Sequence, residues 1–397
     1  MERLIEKYRK KLSAVPLSFV RSFMDRINWD ARMIGIKGAR GVGKTTLLLQ
    51  YIRKFHEFDP SALYVSLDDI WFSENRLSDL ADRFVKQGGK ILFLDEVHKY
   101  PEWSRELKNI YDDLPELKIV FTGSSLLEIL SAGADLSRRA VVYRMQGLSF
   151  REYINFETGL DLPVISLADI LSKHLKLSKE IVDEVKPLRY FPSYISNGYY
   201  PYYKEVPELY HIRLGEVINM IIEIELPMLK GVDPVYVNRL KQMLLIIAES
   251  APFIPNISKL SERTGINRNT FVLYLSWMND AGLIKNIYRN TAGITRLQKP
   301  DKILLENSNI AFAVNSDKPD PGSLRETFFV NQLSFDHKIT YPEKGDFLVD
   351  GSLLFEIGGR NKSNRQLPDT ANSFIASDDI EYGNRNKIPL WLFGFLY

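Results

Sequence analysis

Gly38-Ala39-Arg40-Gly41-Val42-Gly43-Lys44-Thr45 fits the pattern G-x-x-x-x-G-K-[ST], and its neighbours make the match specific. The apolar run RMIGIK (32–37) precedes it and the helix-like TTLLLQYIRKF (45–55) follows it. That strand, loop and helix setting is what presents a row of backbone N–H groups to phosphate oxygens. The glycines let the loop curve around the β- and γ-phosphates, and the helix N-terminus adds the positive end of its dipole. The residues expected to contact ATP or ADP are Gly38 to Thr45 and Thr46. Lys44 reaches the β- and γ-phosphate oxygens, and the Thr45 hydroxyl faces Mg²⁺.

Working outward from the loop, five short apolar runs alternate with helical patterns: RMIGIK (32–37), ALYVSL (62–67), KILFLDEV (90–97), LKIVFTG (117–123) and AVVYRM (140–145). Near-continuous apolar strands separated by helices predict a parallel sheet covered on both faces, an α/β fold. The run Lys90 to Glu96 ends in two carboxylates, which burial of the strand leaves at its C-terminal end beside the loop. Asp95 is the candidate for the Mg²⁺ shell, and Glu96 for orienting and polarising the attacking water. IVFTGSS (119–125) places polar side chains at a third strand end. Ser124, then Thr122, are candidates to sense the γ-phosphate, and ordinary helix capping is the competing use. Arg138 and Arg139 are a paired cation. Arg138 is the candidate to act on a nucleotide bound by a neighbouring copy in an oligomer, with a surface ion pair as the alternative.

The composition bounds the function classes. The chain has 397 residues, more than one hydrophobic core usually organises, so several compact units are expected. With 45% hydrophobic and 26% charged residues it is an ordinary globular sequence. A net charge of +2 argues against bulk attraction to polyanions and leaves local patches. The absence of cysteine excludes disulfides, thiolate metal sites and cysteine nucleophiles, and the 5 histidines make histidine-rich metal sites improbable. No segment reads as a signal peptide or membrane span, so a cytoplasmic protein without membrane partners is expected.

The remainder divides into recognisable textures. Residues 1–30 read as a charged amphipathic helix with Leu4, Tyr8 and Leu12 on one face, covering a sheet edge. The nucleotide-binding core spans 31–150 and a helical lid or linker region 151–255. Within it, RYFPSYISNGYYPYYKE (189–205) offers tyrosines for base stacking, although Tyr with Pro and Gly more often builds a packed surface loop. Residues 256–306 contain NISKLSERTGINRNTFVLYLSWMNDAGLIKNIYR (256–289), a helix-turn-helix pattern and candidate winged helix. Asn267, Arg268, Asn269 and Thr270 open its second helix toward a possible DNA groove, with Lys259, Arg263, Lys285 and Arg289 as supporting cations. Residues 307–397 read as a small α/β domain. Its segments GDFLVDGSLLFEIGGR (345–360) and IPLWLFGFLY (388–397) are expected to be extended. There, Asp346 and Glu356 resemble a restriction-endonuclease-like metal pair, but Gly358 stands where a lysine is needed, which argues for an inactive scaffold. Arg360 or Lys362 are the substitutes in reach, Glu326 could add a carboxylate, and Arg365 completes a basic run.

Together GARGVGKTT, ILFLDEVHKYPEW, IVFTGSS and SRRAVVYRMQGLSFREY resemble a large family of prokaryotic AAA-type ATPases whose C-terminal half is a domain of unknown function. The resemblance extends over nearly the whole chain. It implies a P-loop NTPase core with strand order 5-1-4-3-2, ATP and Mg²⁺ as ligands, and ATP hydrolysis. The physiological role is open among a DNA-associated switch or motor, a signalling or chaperone-like switch acting on a protein partner, and an ATP-dependent nuclease.

Overall fold

The computed structural model describes residues 1–123, 136, 138–249, 256–289, 299–314, 319–362 and 372–397. The chain forms two compact units, Met1–Gly147 and Leu148–Tyr397.

The first unit is built on five parallel strands: β1 (Met33–Lys37), β2 (Ala62–Ser66), β3 (Ile91–Asp95), β4 (Lys118–Gly123) and β5 (Val141–Arg144). Their order is β2-β3-β4-β1-β5, which is the expected 5-1-4-3-2 read from the other edge. The central strands bury both faces, with Ile34, Ile36, Leu92, Phe93, Ile119 and Val120 fully enclosed, as a sheet sandwiched by helices requires. Edge strand β5 is largely exposed. The helix Glu2–Ala14 buries Leu4, Tyr8 and Leu12 and lies against the other edge strand, β2, so the amphipathic pattern does cover a sheet edge.

The second unit opens with the helix Phe150–Thr158, fixed by a capping box in which Ser149 and Glu152 satisfy each other's backbone donors. Helices Leu167–Glu184, Pro187–Asn197, Tyr210–Met220 and Val237–Glu249 follow. The aromatic stretch is helix and tight turn: Tyr194, Tyr199, Tyr200 and Tyr203 are buried core residues and offer no stacking surface. Next come the helices Ile257–Thr264 and Arg268–Asp280, joined through left-handed Gly265. An antiparallel pair follows, β6 (Ile284–Ile287) and β7 (Lys302–Leu305).

The C-terminal sheet has the order β12-β11-β10-β9-β8. Its strands are β8 (Ile339–Thr340), β9 (Phe347–Val349), β10 (Leu353–Gly358), β11 (Ser373–Ser377) and β12 (Lys387–Pro389). The expected extended segment at 388–397 is strand only at its start, since Leu390–Phe395 is a 3₁₀ helix. An unbroken apolar run lacks the period-2 alternation that singles out a strand, and here every residue of the turn is buried. Phe150, Phe191, Tyr194, Phe328 and Phe395 meet ring to ring, so the start and the end of this unit share one core. Ser149 and Arg151 both donate to the Tyr397 carbonyl oxygen, at 2.6 and 3.0 Å.

Candidate functional site

The loop between β1 and the helix Lys44–Phe55 carries the glycines and the lysine named from the sequence. Gly41 and Gly43 hold φ at 87° and 98°, where a side chain would be strained, and Gly43 caps the helix. A Cβ on Gly38 would stand 2.4 Å from the Met145 carbonyl oxygen at the end of β5. The buried Lys44 ammonium donates to the Gly38 and Ala39 carbonyls at 2.9 and 3.0 Å, bringing its charge to the loop's inner side. Thr46 and Arg40 are exposed, and Val42 is buried beneath the loop.

At the C-terminal end of β3, Asp95 is buried and three hydroxyls converge on it. Thr45 Oγ1 donates to Asp95 Oδ2 at 2.7 Å, Tyr64 OH donates to the same oxygen at 2.8 Å, and Thr122 Oγ1 donates to Oδ1. The loop hydroxyl and the strand carboxylate named from the sequence are therefore hydrogen-bonded partners. Glu96 adopts φ 54°, a left-handed conformation uncommon for a residue with a side chain, and its N–H donates to Thr122 Oγ1 at 3.3 Å. Its carboxylate lies 3.4 Å from His98 Nε2. Burial, reinforced by the charges of Lys99, Lys44 and Arg40, pushes the His98 pKa down from 6.5 to about 4, so this imidazole is neutral at pH 7.

Residues 30–154 match the family model for an AAA domain, and residues 188–320 match that for a domain of unknown function. Residues 30–154 therefore resemble an AAA domain, and the five-stranded parallel sheet they carry is that of a P-loop NTPase fold. Similar solved structures include the Walker-type ATPase of Pyrococcus abyssi, at 14% identity and TM-score 0.40, covering 78% of this chain and 95% of that one. Another is the Orc1 protein of Aeropyrum pernix in complex with DNA, at 16% identity and TM-score 0.33, covering 79% and 92%. A third is AMPPCP-bound DnaA from Aquifex aeolicus, at 18% identity and TM-score 0.25, covering 63% and 74%. No curated protein matches the chain.

Other expected site residues fall differently. Thr122 is engaged with Asp95 and with the Glu96 backbone, and Ser124 lies outside the described residues. Arg139 forms a two-pronged pair with Asp112 at 2.9 and 2.8 Å, while Arg138 is exposed. Sequence reasoning missed Tyr64, His98 and Arg21. The buried Arg21 guanidinium donates to the Val42, Gln146 and Gly147 carbonyls at 3.1, 3.1 and 2.8 Å, tying the loop to the segment after β5. A lone arginine in a polar stretch carries no local sign of this. Tyr64 did carry one, a phenol at an inward position of a buried strand, whose hydroxyl has to find a partner.

In the second unit, Arg268 and Asn269 are exposed at the start of their helix, as are Lys259 and Arg263. Asn267 caps that helix by accepting from the Thr270 N–H at 3.0 Å, and Arg289 pairs with Asp301 at 3.3 Å. In the C-terminal sheet, Asp346 Oδ2 accepts from the Ile357 N–H at 2.7 Å, and buried Glu356 meets the Lys362 ammonium at 2.9 Å. The Lys362 stem fills the space a Gly358 side chain would take, its Cγ lying 2.7 Å from that notional Cβ. Glu326 is paired instead with buried Lys302 at 2.6 Å, Arg360 is exposed, and Arg365 lies outside the described residues. Among the described residues no group of three or more His, Cys, Asp or Glu is arranged to hold a metal, and no helix is long and apolar enough to cross a membrane.

Proposed function

We propose that the chain binds Mg²⁺–ATP at Gly38 to Thr45, hydrolyses it, and serves as a DNA-associated switch or motor. The observation that carries this reading is the 2.7 Å contact between Thr45 Oγ1 and Asp95 Oδ2, which puts the loop hydroxyl and the strand carboxylate within reach of one ion. Hard oxygen donors in this small number suit Mg²⁺, which takes one or two carboxylates and keeps its remaining positions for phosphate and water. Bound Mg²⁺ would supply charge neutralisation on the β- and γ-phosphate oxygens. Lys44 adds a second positive charge from the loop side, positioned before the reaction begins. Glu96, held at the end of β3, orients water for attack and accepts its proton, while neutral His98 contributes no competing positive charge. Arg138 on a neighbouring copy is the proposed trans cation.

The DNA arm rests on the helix pair 257–280 with exposed Lys259, Arg263, Arg268 and Asn269, read as a winged helix. Steady-state ATP hydrolysis with Mg²⁺, with and without duplex or single-stranded DNA, tests both arms when Lys44→Ala is run alongside. A rate stimulated by DNA in a salt-sensitive manner and abolished in Lys44→Ala is expected. A Lys44-dependent rate indifferent to DNA would replace the DNA arm with a switch acting on a protein partner.

One observation favours a second reading for the C-terminal sheet, metal-assisted phosphodiester cleavage. Lys362 puts an ammonium on Glu356 from beyond the strand, in the space left by Gly358. Cleavage of DNA with Mg²⁺ or Mn²⁺, lost in Glu356→Ala with ATP hydrolysis intact, would support it. The parent protein's failure to cut would end it.

A further inference from the structure

We propose that Tyr64 is a positioning residue for nucleotide-bound Mg²⁺, holding the Asp95 carboxylate in register with Thr45 and linking that carboxylate to the N-terminal helix. The inference rests on the Mg²⁺–ATP reading above and deepens it.

The strand register explains how a residue so far from Asp95 in sequence reaches it. β2 and β3 run parallel with Tyr64 opposite Phe93 and Ser66 opposite Asp95, so Tyr64 starts two positions back along the sheet. Side chains two apart share a sheet face. The length of a phenol spans the difference and ends 2.8 Å from Asp95 Oδ2. A shorter side chain at position 64 would not reach, and a phenylalanine would reach without donating.

Both Asp95 oxygens are thereby engaged, Oδ2 by Thr45 and Tyr64 and Oδ1 by Thr122. Two donors on one oxygen and one on the other fix the plane of the carboxylate. The Thr45 hydroxyl spends its proton on Asp95, which leaves its lone pairs facing outward from that bond. A buried phenol facing a carboxylate stays protonated: burial first, then the Asp95 charge, pushes the Tyr64 pKa far up.

The opposite side of Tyr64 belongs to the N-terminal helix. The Tyr8 ring stacks on it at 6.2 Å between centroids, and Lys11 Nζ lies 3.4 Å from the hydroxyl and 5.3 Å from the ring centroid. Lys7 pairs with Asp69 just beyond β2. A chain of contacts thus runs from Lys11 through the phenol to Asp95. Partners that orient a metal ligand from behind typically change metal affinity or activity by about 10- to 100-fold when removed.

Tyr64→Phe keeps the ring, its packing and its stacking on Tyr8, and removes one O–H. The test uses the full chain and measures ADP affinity by calorimetry with and without Mg²⁺, the Mg²⁺ concentration giving half-maximal ATP hydrolysis, and the thermal midpoint. The expected result is unchanged Mg²⁺-free ADP affinity, a Mg²⁺ midpoint raised about 10-fold, and a smaller shift in the same direction for Lys11→Met. If Tyr64→Phe lowers the thermal midpoint but leaves the Mg²⁺ midpoint where the parent has it, the phenol is structural and the proposal is wrong. A parent whose ADP affinity ignores Mg²⁺ would instead overturn the Mg²⁺–ATP reading itself.

Discussion

The two units stand in contrast in how each assembles what matters. In the first, a loop of consecutive residues and the end of one strand bring Lys44, Thr45, Asp95 and Glu96 together, and the strands that carry them are buried on both faces. In the second, the core is made by Phe150, Phe191, Tyr194, Phe328 and Phe395, residues from both ends of a long stretch of chain. The contrast teaches that the glycine-rich loop is a local property of sequence, whereas a mixed helical and β core is a property of distant pairings.

The largest expected effect lies in the second unit. Phe328→Ala removes a buried ring that meets Phe191 at 4.9 Å and Tyr194 at 5.8 Å, and should cost that unit about 3–5 kcal/mol. Calorimetric unfolding should show it as a lowered transition, with ADP affinity unchanged. Loss of nucleotide affinity in this variant would break the distinction between the units.

Gly38→Ala probes the first unit by forcing a methyl against a backbone carbonyl 2.4 Å away, a group that cannot turn aside. Overpacking of this kind costs about 1–3 kcal/mol, so nucleotide affinity should fall roughly 10- to 100-fold. Binding equal to the parent's would mean that loop and β5 are not held as tightly as their contact implies.

A pH effect of similar or smaller size follows from His98. Its folded pKa of about 4 lies below the ordinary 6.5, so above 6.5 both folded and unfolded chains hold it neutral. As the pH falls from 6.5 toward 4 the unfolded chain takes up the proton and the folded one does not, and stability is lost. Between pH 7.5 and pH 5 the loss should be about 1–2 kcal/mol. Urea midpoints at the two pH values for the parent and for His98→Asn check it, and the variant should lose less. An equal loss in both would assign the acid sensitivity to other groups.

How much was legible follows the same division. The five strands of the first unit could be read because each is a near-continuous apolar run set between helical patterns, while the contact of Thr45 with Asp95 comes from the fold. Arg21 could not, and Tyr64 showed only a buried hydroxyl in need of a partner, since each acts on a group brought near only by sheet register or by the closing of the loop. In the second unit the aromatic stretch at 189–205 looked like a surface loop because Pro and Gly punctuate it, yet Tyr194 and Tyr200 are buried against partners more than a hundred residues away, Phe328 and Asn307. The apolar tail hid its 3₁₀ turn because continuous burial leaves no periodicity to read.

On the proposed reading, Asp95 and Glu96 complete a hydrolytic site with the loop. Steady-state ATP hydrolysis of the parent beside Glu96→Gln, with ATP affinity measured on both, tests it most directly. Measurable hydrolysis is expected in the parent, with a fall of about 10²-fold or more in Glu96→Gln while ATP is still bound. Undiminished hydrolysis in Glu96→Gln, or a parent that binds ATP without turning it over, would contradict it.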